Sequence, residues 1–116
     1  MVTIAVVVPT IGRPSLDVTL RAIRDQGLID GDEVLVVYDA HWGAMPALRA
    51  RVEAFGPWMR YLEHDHGQSD HGLFQSNVGF AASTATLTLA HADDDLYLPR
   101  AFTRLREVAV QHPSCP

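Results

Sequence analysis

"TIAVVV", residues 3–8, is an unbroken run of small and β-branched residues, and it has a twin in "EVLVVY", residues 33–38. A strand with one face in water alternates apolar and polar side chains. A strand apolar at every position is buried on both faces, as happens when helices cover both sides of a parallel sheet. Between the two runs, "SLDVTLRAIRDQG", residues 15–27, places Leu16, Leu20 and Ile23 on one stripe of a helix. Ser15 is the expected N-cap, Asp17 falls in the first turn where the helix dipole favours an acid, and Gly27 follows the end. Two buried strands joined by one amphipathic helix imply an α/β class with a right-handed crossover and parallel pairing.

The alternation continues outward. Pro46 opens an expected helix over residues 46–55, with Leu48, Val52 and Phe55 as its apolar face. "MRYLEH", residues 59–64, reads as a third, shorter strand. A small-residue helix over residues 73–83 leads to "TLTLAH", residues 86–91, a fourth strand with alternation. The last helix is expected over residues 99–111, with Phe102, Leu105 and Val108 or Ala109 turned inward. The order β-α-β-α-β-α-β-α predicts a Rossmann-like three-layer α/β/α fold. Its mainly parallel sheet has the order 3-2-1-4, with residues 5–8 and 34–37 at its centre.

Composition bounds the function classes. A chain of 116 residues makes one domain, residues 1–116, long enough to bury its own core. With 47% hydrophobic and 20% charged residues it reads as an ordinary soluble globular protein. Fourteen acidic residues against nine basic ones leave a net charge of -5, which argues against a nucleic-acid partner. All nine basic residues are Arg, a bias read as genomic, although the rigid guanidinium fork suits phosphate. The single cysteine, Cys115, makes no internal disulfide. The N-terminus lacks a basic region and no segment has the length of a membrane span, so a cytoplasmic protein without a membrane span is expected.

In open parallel sheets, ligands bind beyond the C-terminal ends of the strands, where the strand order reverses. Three of those ends carry polar residues that packing does not require: "PTIGR", residues 9–13, "YD", residues 38–39, and "DDD", residues 93–95. Asp39 reads equally well as a turn residue, and Pro9 and Gly12 as loop punctuation. "EHDHGQSDHG", residues 63–72, holds His64, His66 and His71, but its spacing fits no closed zinc pattern and it reads as a solvated loop. Asn77 and Gly79 are unfavourable inside a helix; close packing of Gly79 on a strand, with Asn77 facing solvent, would account for both. Asp93, Asp94 and Asp95 are harder to explain. Adjacent carboxylates repel, and Asp suits neither strand nor helix. A divalent cation removes the repulsion and takes hard oxygen ligands. Contiguous acids do not fit a calcium loop of EF-hand type, which alternates its ligands. A nucleotidyl- or phosphoryl-transfer enzyme would want a glycine-rich phosphate loop with Lys, and "PTIGRP" lacks both length and Lys.

Taken together, "AVVVPTIGRPSLDVTLRAI", "EVLVVYD", "QSNVGFAAST" and "LAHADDDLYLPRAF" resemble the nucleotide-binding half of family 2 glycosyltransferases, which have the GT-A fold. The resemblance covers nearly the whole chain, in order and spacing. It implies a nucleotide-diphosphate sugar, UDP- or GDP-linked, bound through Mn2+ or Mg2+, with a sugar transferred to an acceptor hydroxyl as by a hexosyltransferase. By the same resemblance Pro9, Thr10 and Arg13 lie near the base and ribose, and Asp39 accepts a hydrogen bond from a ring N–H of the nucleobase. Asp93, Asp94 and Asp95 match the D-x-D type motif that binds ribose and metal. Counting back from the aromatic and Pro99 gives Asp94 as the direct metal ligand, Asp93 toward the ribose and Asp95 as a second or water-mediated ligand; a literal D-x-D register puts Asp95 on the metal instead. Asn77 matches the Asn of an Ala-Arg-Asn-x-Gly helix.

Two departures bear on function. Ser76 stands where the family has Arg, removing a phosphate or base contact. The chain ends at "QHPSCP", residues 111–116, before the half in which the family carries the acceptor site and the base that deprotonates the acceptor. No residue is therefore assigned as catalytic. Glycosyl transfer, by a chain that is part of a longer enzyme or completed by a second copy or a partner chain, is the first reading. A sugar-nucleotide-binding module that transfers nothing is the alternative.

Overall fold

The computed structural model describes residues 2–64, 73–91 and 100–111. Four strands, β1 (Ile4–Thr10), β2 (Glu33–Asp39), β3 (Met59–His64) and β4 (Leu87–Ala90), form one sheet in the order β3-β2-β1-β4. All three pairings are parallel. Four helices, α1 (Ser15–Arg24), α2 (Leu48–Glu53), α3 (Leu73–Ala82) and α4 (Ala101–Gln111), lie between and after the strands. The expected class, strand order and alternation are all present.

Both central strands are sealed on two faces. Residues 4–8 and 34–37 have no exposed surface. On one face Ile4, Val6, Val8, Val34 and Val36 pack with Leu16, Leu20 and Ile23 of α1, Leu48 and Val52 of α2 and Phe102 of α4. On the other, Ala5, Val7, Leu35 and Val37 meet Val78 and Ala82 of α3. Side-chain alternation thus splits each run between two cores, which explains why no position is polar. Full burial of each Leu or Ile stabilises by roughly 1.5–3 kcal/mol.

Gly79 is what lets α3 lie close to the sheet. A Cβ there would run into Cγ1 of Val7 and lie 2.9 Å from its Cγ2. Asn77, two residues earlier, is exposed.

Pro9 sits in a central strand, where a missing N–H normally costs a rung. The carbonyl of Val7 accepts from His91 N at 2.9 Å, so the odd residues of β1 direct their backbone toward β4. The β1–β4 pairing ends at Val7 and Ala90. Pro9 therefore falls beyond the last rung on that side and removes no bond to β2.

Several bounds differ from expectation: β1 runs on through Pro9 and Thr10 instead of stopping at Val8, β4 is shorter than residues 86–91, and α4 begins at Ala101, after Arg100 with φ 66°, and not at residue 99. Two helices near the front of the chain differ as well. Pro14 already has helical dihedrals, φ -58° and ψ -29°, so helical geometry begins before Ser15 and no side chain caps the N-terminus. Ser15 is the first residue of α1, not its cap. The second helix is shorter than residues 46–55: Leu48 N bonds to Met45 O as a turn, and α2 closes at Glu53. Phe55 still packs against the core, with the Arg24 guanidinium 5.7 Å over its ring. Among the described residues no helix is long and apolar enough to cross a membrane.

At the N-terminal end of the sheet, Asp32 is buried. Its carboxylate accepts from Ile4 N and Ile29 N, both at 2.8 Å, and from both terminal nitrogens of Arg106, with Nη1 at 3.0 Å. Burial alone would raise its pKa. The Arg106 guanidinium and the two N–H donors outweigh that and hold it below the ordinary 3.8.

Candidate functional site

β1 and β2 end side by side, with Thr10 level with Tyr38. Alternation sends Tyr38 to the α1 side, with Val34 and Val36, and carries Asp39 to the α3 side, with Leu35 and Val37.

The loop after β1 is held by its own residues. Thr10 Oγ1 accepts from Gly12 N at 2.9 Å, and Arg13 O accepts from Leu16 N at 3.1 Å where α1 begins. Gly12 has φ 85°, and a Cβ there would press on the Met45 sulfur. The positive φ is what requires glycine here, and the absent Cβ leaves room for the end of the Met45 side chain from the loop that follows β2. That second loop is pinned in turn, because Tyr38 Oη donates to Gly43 O at 2.5 Å.

Asp39 is 2% exposed. Its Oδ1 accepts from His41 N at 3.1 Å and so caps a short 3-10 turn, Ala40–Trp42. The turn-residue reading of Asp39 is thus realised in the fold, on an acid that also stands at the rim. Burial, then the negative charges of Glu63 and Asp39, raises the pKa of Tyr38. Burial, then its hydrogen bond to Glu63 Oε2 at 3.0 Å, pushes Tyr61 well above the ordinary phenol. Both hydroxyls are therefore neutral donors at physiological pH.

The structure brings Pro9, Thr10 and Asp39 together and leaves Arg13 exposed in the adjoining loop. Asn77 is on α3, near the same rim by chain position but turned to solvent. His91 closes the β4 side through its bond to Val7 O. Asp93, Asp94 and Asp95 lie outside the described residues, as do Asp65, His66, Asp70, His71, Pro99 and Cys115. Among the described residues no three His, Cys, Asp or Glu side chains gather into a metal-binding group.

One rim residue was not singled out from sequence. Gln75, in the first turn of α3, is 7% exposed. Its Nε2 donates to Thr10 O at 2.9 Å and to Val37 O at 2.6 Å. A signal was available: Gln75 lies four residues before Gly79, on the stripe that a helix-to-sheet contact must use.

No protein-family model matches this chain, and no curated protein matches it. Among solved structures it is similar to TarS of S. aureus, a glycosyltransferase, with a TM-score of 0.75 and 18% identity. The match covers 96% of this chain and 20% of that one, so the chain spans about a fifth of the TarS structure. At that identity the likeness shows fold alone. The chain shares a four-stranded, all-parallel α/β fold with part of that protein.

Proposed function

We propose that this chain is the donor-binding part of a metal-dependent glycosyltransferase of family 2 type, taking a UDP- or GDP-sugar at the C-terminal rim of the sheet. The observation that carries the reading is the rim itself. On a fold shared with a glycosyltransferase, Thr10 and Asp39 end adjacent strands, and His91, on the far side of β1, is the last described residue before the acidic triplet. The strand order reverses between β1 and β4, the position at which open α/β sheets bind ligands.

In this reading Pro9, Thr10 and Arg13 line the base and ribose, and Asp39 accepts from a uracil or guanine ring N–H. Asp94 holds the cation, with Asp95 beside it and Asp93 toward the ribose. Three carboxylates are hard oxygen donors, the chemistry that Mn2+ and Mg2+ take. A bound divalent cation supplies charge neutralisation to a departing nucleoside diphosphate. The chain's own part is to hold base, ribose and diphosphate in register; none of its residues is assigned to the acceptor or to its deprotonation.

Because carboxylates and diphosphate are both anionic, binding should depend on metal. UDP or GDP at about 100 times its dissociation constant, with Mn2+, is expected to stabilise the fold by roughly 2.7 kcal/mol. With chelator the thermal shift should shrink to a small fraction of that. Equal shifts in the two conditions would remove the donor-site reading.

Alanine replacement separates the three acids. Asp94→Ala is expected to abolish the Mn2+ dependence of nucleotide binding, and Asp95→Ala to weaken it. Titration of Mn2+ against each variant with GDP or UDP present checks this; loss of coupling in Asp95→Ala alone would exchange their roles.

A further inference from the structure

The Gln75 carboxamide lies against the last rungs of the β1–β2 ladder, which pair Pro9 with Val37 and Thr10 with Tyr38. Thr10 ends β1 and Val37 lies two residues from the end of β2. Beyond them the chain leaves in two directions, toward Gly12 on one side and the 3-10 turn on the other. Twisted neighbouring strands diverge past their last rungs. A single –NH2 group with one hydrogen on each carbonyl, at 2.9 and 2.6 Å, clamps the last rungs before that fork.

The orientation of the amide is dictated by its partners. Turned over, it would set its oxygen against two carbonyl oxygens, so only the nitrogen fits between the strands. Gln75 is buried, and Val78, Gly79 and Ala82 of the same helix are packed on the sheet, so the side chain cannot drift without moving α3.

We propose that Gln75 is a positioning residue of the donor site: by clamping the last rungs of the ladder at Thr10 and Val37 it fixes the distance from the β1 loop to Asp39, and with it the choice of nucleobase. The inference rests on the donor-site reading above. There the β1 loop carries the base while Asp39, on the neighbouring strand, reads its ring N–H. A base held by one strand and read from another is discriminated only as well as the two strands are held in register. The diphosphate depends instead on the acids that follow β4, on the far side of β1.

Calorimetric titration of UDP, GDP, CDP, ADP and inorganic pyrophosphate, all with Mn2+, tests this on wild type, Gln75→Leu and Asp39→Asn, with Gln75→Met as a second volume-matched variant. Wild type is expected to prefer UDP or GDP over CDP and ADP. Gln75→Leu should narrow that preference by about tenfold, the size of a lost hydrogen bond to a charged group, while pyrophosphate binds as before. Asp39→Asn should cost the preferred nucleotide much less in the Gln75→Leu background than in wild type. A lowered melting temperature with base preference and Asp39 sensitivity intact would make Gln75 merely a fold-stabilising residue and overturn the proposal. Failure of both Gln75 variants to fold would overturn it in the same way. Wild type binding all four nucleotides equally would overturn it alone, whereas no nucleotide binding at all would first remove the donor-site reading.

Discussion

Arg106→Ala is expected to cost about 3–5 kcal/mol, because it leaves the buried Asp32 carboxylate without its counter-charge. The side chain of Asp32 has no exposed surface, and that of Arg106 is 17% exposed. Urea unfolding at neutral pH measures the loss. Asp32→Leu paired with Arg106→Met should recover only part of it. The apolar pair removes the charge problem, but Ile4 N and Ile29 N lose the acceptor they share. Acid adds a second test. The native carboxyl binds its proton more weakly than the unfolded one, so protonation favours the unfolded chain. The pair's contribution is complete above the unfolded pKa of about 3.9 and is lost as pH falls through the lower native value. In Arg106→Ala the guanidinium's share of the lowering is gone, so the Asp32 pKa rises from its wild-type position and the acid transition should move to higher pH.

Gly79→Ala is expected to destabilise by about 1–3 kcal/mol through overpacking, even though alanine gains up to about 1 kcal/mol in helix propensity. Sign and size both follow from Val7. Its side chain is the one that a new methyl meets, and its backbone is paired with Leu35 on one side and Ala90 on the other. Neither strand nor helix can retreat cheaply. Ala81→Gly, at an exposed position of the same helix, shows propensity alone and should cost about 1 kcal/mol. Gly79→Ala combined with Val7→Ala should be more stable than the two single effects predict, a coupling that urea titration of all four proteins resolves.

The fold was legible because its central strands are extreme. Residues 4–8 and 34–37, with no polar position among them, leave no alternative to double coverage, and the stripe Leu16, Leu20, Ile23 fixes the first crossover. Packing at Gly79, with Asn77 in solvent, followed from the cost of both residues in a helix. Helix ends were less legible: Pro14 extends the start of α1 by its fixed φ, which a search for an Asp or Ser cap overlooks. Two residues that organise the molecule were harder to single out, Asp32 for want of any local sign and Gln75 because only its i, i+4 spacing to Gly79 hints at the sheet. Asp32 looks like one acid among several in a polar turn, and its partner is 74 residues away. Gln75 looks like helix surface until two strand carbonyls are placed beneath it. The rim residues Thr10 and Asp39 were legible as polar groups at strand ends, whereas their chemistry was suggested by resemblance, and Asp39 proves to serve its own turn as well.

The sheet order also sets a timetable for synthesis. β1 is made first, yet its second neighbour, β4, lies more than 80 residues downstream; the hydroxyls of Thr3 and Thr86, 3.3 Å apart, span 83 residues. β1, β2 and β3 can assemble through short crossovers as they emerge, leaving one flank of β1 open. At about 5–20 residues per second, Arg106 follows Asp32 from the ribosome by roughly 4–15 s. Through that interval Asp32 has no guanidinium to enter a core with, and the N-terminal half waits for α4. A ribosome stalled before residue 106 should therefore carry a chain that proteases cut near β1, and release of the last helix should close it in one step.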